Sequence, residues 1–206
     1  MQLEREFYRQ NTLQVARELL GQRLVRVENG LRLAGIISEA EAYRGEEDQA
    51  CHARAGLTKR TKVMYGQPGH AYVYFTYGMH WMLNFVTEAE GYPAAVLIRA
   101  ILPVEGLDRI AARRANIPAQ SWTNGPAKIC QALGIDGSQH GVDLCASEAE
   151  IFVEIVQTVD QSSITTGPRV GLNNVPEPWK SLPWRFRLKQ EDLDLYANPA
   201  PKSFSS

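Results

Sequence analysis

Cysteine is scarce in this 206-residue chain: Cys51, Cys130 and Cys145 form no CxxC pair and leave an odd number. That arrangement argues against both a disulfide framework and a cysteine-built zinc site, and a reducing, cytoplasmic setting is expected. Long apolar runs are missing as well. No stretch approaches the length of a membrane span, and the first twenty residues read as an amphipathic helix and not as a signal peptide, so no membrane partner is expected. Charge of one sign is not in excess either, since 22 Lys and Arg against 23 Asp and Glu leave a net charge of −1. Such a total does not advertise a nucleic-acid partner, but phosphate binding needs a local field and not a global one. Walker, Rossmann and zinc-binding patterns, internal repeats and low-complexity blocks are absent. The four histidines, His52, His70, His80 and His140, lack metal-ligand spacing. Neither a metal nor a cofactor is expected.

What is present is ordinary globular composition, 44% hydrophobic and 22% charged, enough for one well-buried domain over residues 1–206 with a frayed end at 197–206. One stretch organises the rest. Residues 71–85, AYVYFTYGMHWMLNF, carry aromatic and β-branched residues on both sides of Tyr77-Gly78, which predicts a β-hairpin with a glycine in its turn. Strand alternation puts Tyr72, Tyr74 and Thr76 on one face and Val73, Phe75 and Tyr77 on the other. Taken alone, the stretch is most simply a core hairpin with a turn tyrosine.

Along the chain, Asn11 or Thr12 is placed to cap a helix with Leu13, Ala16, Leu19 and Leu20 on one face, and Gly21 to end it. Asn29-Gly30 between two apolar runs predicts a second hairpin. Its second strand ends in Glu39, Glu41 and Tyr43, which share one parity; two carboxylates on one strand face are costly unless solvated or used. Residues 44–69 read as a long irregular connection, and residues 94–102 as a central strand interrupted only by Arg99, which needs a partner or a substrate. Pro103 is expected to turn the chain into a helix over 105–115, and Asn124-Gly125-Pro126 to open a second helix ending at Gly134. Short strands follow, the last over PWRFRLK. Basic residues gather locally: Lys59, Arg60 and Lys62 in one loop, Arg109, Arg113 and Arg114 on one helix, Arg185, Arg187 and Lys189 near the end. Each cluster alone is most simply a solvated face.

Together, Glu41, Tyr43, His52, Tyr74, Tyr77, Asn84 and Arg99 are candidates for one pocket. One carboxylate among aromatic rings, without a metal, suits hydrolysis of a bond whose transition state is cationic. Here the sequence resembles the mammalian-type alkyladenine (3-methyladenine) DNA glycosylases, as distinct from the helix-hairpin-helix type. The resemblance rests on EAEAYRGEEDQACH, TKRTKVMYGQPGHAYVYFTYGMHWMLN, VLIRAILPVEGL, NGPAKICQALGI and RVG, and runs with gaps from Leu31 to Arg187.

It implies a mixed α/β (α+β) domain: a curved, largely antiparallel sheet flanked by helices, with a protruding β-hairpin that enters the DNA minor groove. The implied partner is double-stranded DNA containing damaged purines, bound by a monomer. By the same resemblance Glu41 is the general base that activates water, and Arg99 helps hold the water and the abasic phosphate. Tyr43, His52 and Tyr74 sandwich the flipped base, Asn84 disfavours guanine, and Tyr77 fills the gap left in the stack. Lys59, Arg60 and Lys62 are candidates for backbone contacts. Ala53, Leu57, Thr61 and His80 depart from the family pattern. A non-catalytic module that recognises damaged DNA, and a hydrolase of free nucleosides, are the competing readings.

Overall fold

Two short helices, Arg5–Tyr8 (α1) and Thr12–Glu18 (α2), open the chain in place of one continuous amphipathic helix. Asn11 divides them: its backbone is extended and its side chain accepts from the Leu13 amide at 3.0 Å, so it caps α2 and interrupts what precedes it. Val15, Ala16, Leu19 and Leu20 are fully buried, and Gly21 follows with φ +80. Arg23–Glu28 (β1) and Leu31–Arg44 (β2) make the expected hairpin, with Asn29 and Gly30 both in the left-handed conformation that suits a two-residue turn.

Residues 44–69 contain only one-turn 3-10 helices, at His52–Ala55 and Lys62–Tyr65. The aromatic stretch then folds as Ala71–Thr76 (β3) and His80–Val86 (β4), paired in register from Ala71 with Phe85 to Thr76 with His80. Ala94–Glu105 (β5) is longer than the sequence suggests. It runs through Pro103 instead of turning there, because β4 pairs with β5 only at residues 95–97 and leaves the far part of that edge without a ladder to break. The helix after it, Leu107–Arg113 (α3), is correspondingly shorter than expected. Pro126–Leu133 (α4) has Pro at its start and Gly134 in the left-handed conformation at its end, as the sequence predicts. Ile151–Glu154 (β6), Ile164–Gly167 (β7), Arg185–Leu188 (β8) and Leu193–Ala197 (α5) follow. This computed structural model describes residues 1–197; the rest of the frayed end expected over 197–206 lies outside the described residues.

The eight strands among the described residues join one antiparallel sheet in the order β3-β4-β5-β2-β1-β6, with β8 pairing both β2 and β7. The fold is thus the expected α+β arrangement. Its centre is β2, whose first half pairs with β1 and whose later residues, Glu39 to Glu41, pair with β8. The main core gathers α2, α4 and the sheet around Leu19, Leu33, Ile36, Ile98 and Phe85. A smaller cluster, Cys51, Ala53, Met64, Tyr72, Val86 and Ala95, packs the irregular connection against the sheet. Burial of these apolar groups, at about 25 cal/mol per Å², pins a loop that has almost no ladder of its own.

Candidate active site

The pairing of β2 with β5 slips twice in the same place. Ile37 faces Ile101, Glu39 faces Ala100 and Ala40 faces Ile98, so Ser38 is the extra residue on one strand and Arg99 on the other. The two slips cancel, and the register from Ala40 to Arg44 is regular; a separate slip lies farther off, between Ala34 and Gly35. Such bulges re-aim side chains, and here they bring Arg99 between two carboxylates. Its Nε donates to Glu39 Oε1 at 2.8 Å and stands 3.3 Å from Glu41 Oε1, while Nη1 donates to Glu41 Oε2 at 3.4 Å.

Glu41 is fully buried. Besides Arg99 it accepts from the Val170 amide at 2.7 Å and from the Tyr43 hydroxyl at 2.8 Å. Burial pushes its carboxyl above the usual carboxylate range; Arg99, the Val170 amide and the Tyr43 hydroxyl pull the other way without cancelling it. The parity expected for Glu39, Glu41 and Tyr43 is therefore present, but the solvated polar face is not. A fully buried acid, Glu41, and a partly buried one, Glu39, share one arginine instead.

Above this pair lies a cavity of about 320 Å³, within the range of small-ligand sites. Tyr43, His52, Tyr72, Tyr74, Asn84 and Arg99 line it, with Val170 to Leu172 along one side. Glu41 sits just beneath, reached through Tyr43 and Arg99. The His52 ring packs edge-on to Tyr74, with centroids 4.6 Å apart, and its Nδ1 is 2.9 Å from the Tyr72 hydroxyl. Burial, then the nearby Arg60 and Arg54, lower its pKa to about 4, so the ring is neutral at physiological pH. Asn84 donates to the Tyr72 carbonyl at 3.0 Å, which fixes its amide at the cavity wall.

Tyr77 does not follow strand alternation. It occupies the turn with φ +52 and Gly78 with φ +68, and the left-handed step returns its ring to the cavity mouth beside Tyr74 and Thr76. It is 80% exposed, and Met79 beside it 67%. Of the three loop cations, Arg60 packs on the site itself: its guanidinium lies 4.8 Å from the Tyr74 ring centroid and 3.3 Å from His52 Nε2. A guanidinium only donates, so Nε2 accepts and Nδ1 carries the proton. Lys59 and Lys62 are exposed on the loop, outside the cavity lining. Part of the second basic cluster is spent on structure, since Arg109 and Arg113 both reach Glu28.

Several residues escaped the sequence reading. Arg169 and Asp48 form a fully buried ion pair, and the Arg169 guanidinium lies 4.6 Å from the Tyr43 ring centroid and 5.0 Å from that of Trp184. No local pattern marks that pair, because its members are 121 residues apart. Tyr72 was visible only as one face of a strand, and Val170 only within the short RVG motif.

A family model described as methylpurine-DNA glycosylase matches residues 6–192. The chain belongs to this family. Membership places it among the DNA glycosylases and agrees with the resemblance carried by the EAEAY and YFTYGMH segments. A relative from Methanocella arvoryzae is 48% identical over 185 residues, 89% of this chain and 90% of its own. One from Bacillus cereus strain AH820 is 44% identical over 195 residues, 90% of this chain and 95% of its own. A third, from Chlorobaculum parvum, is 44% identical over 181 residues, 87% and 84% of the two chains. All three carry the provisional name 3-methyladenine DNA glycosylase. In the described residues of this methylpurine-DNA glycosylase family member, no helix is long and apolar enough to cross a membrane.

Proposed function

We propose that this protein is a base-excision repair enzyme that flips alkylated or deaminated purines out of duplex DNA, the 3-methyladenine, 7-methylguanine, hypoxanthine and ethenoadenine class. It hydrolyses their N-glycosidic bond with water activated by Glu41. The observation that carries this reading is the buried Glu41 carboxylate, held by three donors directly beneath an aromatic cavity. Cleavage of the C1′–N bond leaves the base with the bonding pair and an oxocarbenium-like sugar. Water oxygen bonds to C1′ and its proton passes to Glu41. An ionised carboxylate there both deprotonates the water and opposes the developing positive charge. The Arg99 contacts at 3.3 and 3.4 Å are long for charge-assisted bonds, which leaves lone-pair capacity on Glu41 for that proton.

Tyr43, Tyr74 and His52 sandwich the flipped base, and electron-rich rings favour a purine made cationic by alkylation by about 0.5–2 kcal/mol per contact. Asn84 stands where it crowds the exocyclic amine of a normal guanine. Tyr77 enters the minor groove and offsets part of the few kcal/mol that unstacking costs. Among the described residues no lysine lines the cavity, which supports a monofunctional reaction that leaves an abasic site. Lys59, Arg60 and Lys62 take the backbone contacts, and the exposure of Lys59 and Lys62 supports this.

The test is single-turnover release from duplexes carrying one hypoxanthine or one ethenoadenine, with the parent and Glu41→Gln compared. Release by the parent alone, with equal duplex binding, is expected. Binding without release by both proteins points to a non-catalytic damage-recognition module.

A further inference from the structure

Arg99 is not shared evenly. It lies 2.8 Å from Glu39 but 3.3 and 3.4 Å from Glu41, although Glu41 is fully buried and Glu39 is 20% exposed. Left to itself, a guanidinium fork matches a buried carboxylate with two short parallel bonds, and such a clamp would occupy the lone pairs that a water proton needs. We propose that Glu39 is a positioning residue for the base step: it holds Arg99 back from Glu41 and so keeps Glu41 free and basic. This rests on the reading of Glu41 as the base.

The surroundings leave Glu39 as the group able to do this. Around Glu41 stand Tyr43 on β2, Arg99 on β5, Tyr74 on β3, His52 from the irregular connection, and the Val170 amide with Arg169 ahead of β8. Arg169 is committed to Asp48 and His52 is neutral. Arg185 on β8, the register partner of Glu41, places its Nη1 3.6 Å from Glu39 Oε1. It competes with Arg99 for the same oxygen. The paired bulges at Ser38 and Arg99 set this geometry on a central strand, where the backbone cannot drift to relieve it.

The experiment is the pH dependence of single-turnover hypoxanthine release by the parent, Glu39→Gln, Arg185→Gln and Glu41→Gln, with duplex affinity and thermal unfolding measured alongside. The rate needs ionised Glu41, so the acid limb follows its pKa. Glu39→Gln removes a neighbouring negative charge and frees Arg99 to close on Glu41. The limb should therefore move to lower pH by about half to one unit, with a plateau about three- to tenfold slower, while affinity is kept. Arg185→Gln relieves the competition at Glu39 and should move the limb the other way, by about 0.3 unit.

Opposite shifts separate positioning from general damage to the fold. A folded Glu39→Gln protein whose limb stays in place overturns the proposal. If Glu39→Gln does not fold, Arg185→Gln decides alone, and a limb that does not rise is then the refutation. Release by Glu41→Gln would instead overturn the reading of the base.

Discussion

Replacing Glu41 by Gln tests more than the proposed chemistry, because a buried charge carries a cost in stability. In the parent, the Val170 amide, the Tyr43 hydroxyl and the Arg99 guanidinium all donate to an ionised acceptor. With an amide in its place the carbonyl keeps the Val170 amide at neutral strength, the Tyr43 hydroxyl rotates to accept from the new NH2, and Arg99 Nη1 loses its acceptor, a loss of about 1 kcal/mol each and about 3 kcal/mol in all. Against this stands the release of a desolvated carboxylate, an effect of several kcal/mol. Arg99 is not orphaned by the change, since it keeps Glu39 at 2.8 Å.

The balance favours the variant by about 1 kcal/mol, a rise of about 2–4 °C in Tm for a chain of this size. Burial raises the folded-state pKa of Glu41 above its unfolded value. The cost is therefore absent below the unfolded pKa and fully present above the folded one, and the advantage of Glu41→Gln should appear as pH rises. Calorimetry at pH 4 and pH 7.5 reads it directly. A Tm that falls by several degrees at pH 7.5, or a gain of equal size at both pH values, would refute the argument.

Three further outcomes are expected. Tyr77→Ala should leave Tm unchanged within the error of a surface substitution, about 0.5 kcal/mol, because the ring is exposed; base release from duplex should nevertheless slow at least tenfold, with release from a single strand much less affected. His52, whose pKa is lowered to about 4, contributes stability that is present above pH 6.5 and lost as pH falls toward 4. His52→Gln should thus lose on the order of 2 kcal/mol less over that interval, as read from denaturant midpoints at matched pH. Arg169→Met should cost about 3–5 kcal/mol, since it strands Asp48 as a buried charge; urea unfolding measures this, and a loss below 1 kcal/mol would contradict it.

The hairpins, the capped helix at Thr12 and the Pro-to-Gly helix at Pro126 were legible because each depends on local chemistry: Asn-Gly turns, a capping side chain, residues that cannot continue a helix. The strand through Pro103 was not, since a proline is tolerated wherever the neighbouring strand ends, and sequence does not show where that is. The same limit applies to the site. Glu41, Tyr43, His52, Tyr74, Asn84 and Arg99 converge as anticipated. Their connections depend on two compensating bulges, and strand periodicity carries no signal of where a register slips. Tyr77 was assigned to the opposite face because alternation was carried into a turn whose left-handed residue reverses it. Asp48 with Arg169 depends on a contact between distant segments that no local pattern reports.

The position of β2, paired on both edges by β5 and by β1 then β8, has a dynamic consequence. Amide protons around Glu41 are expected to exchange with solvent only when the sheet opens, at a free energy near that of global unfolding, whereas the exposed turn at residues 57–60 of the connection, which lies in no helix or strand, should open for less. The group assigned to proton transfer sits on a strand paired along both edges, and the exposed turn at residues 57–60, beside His52, has no such pairing. Variation in that loop can therefore retune which bases are admitted without disturbing the strand that carries the carboxylate.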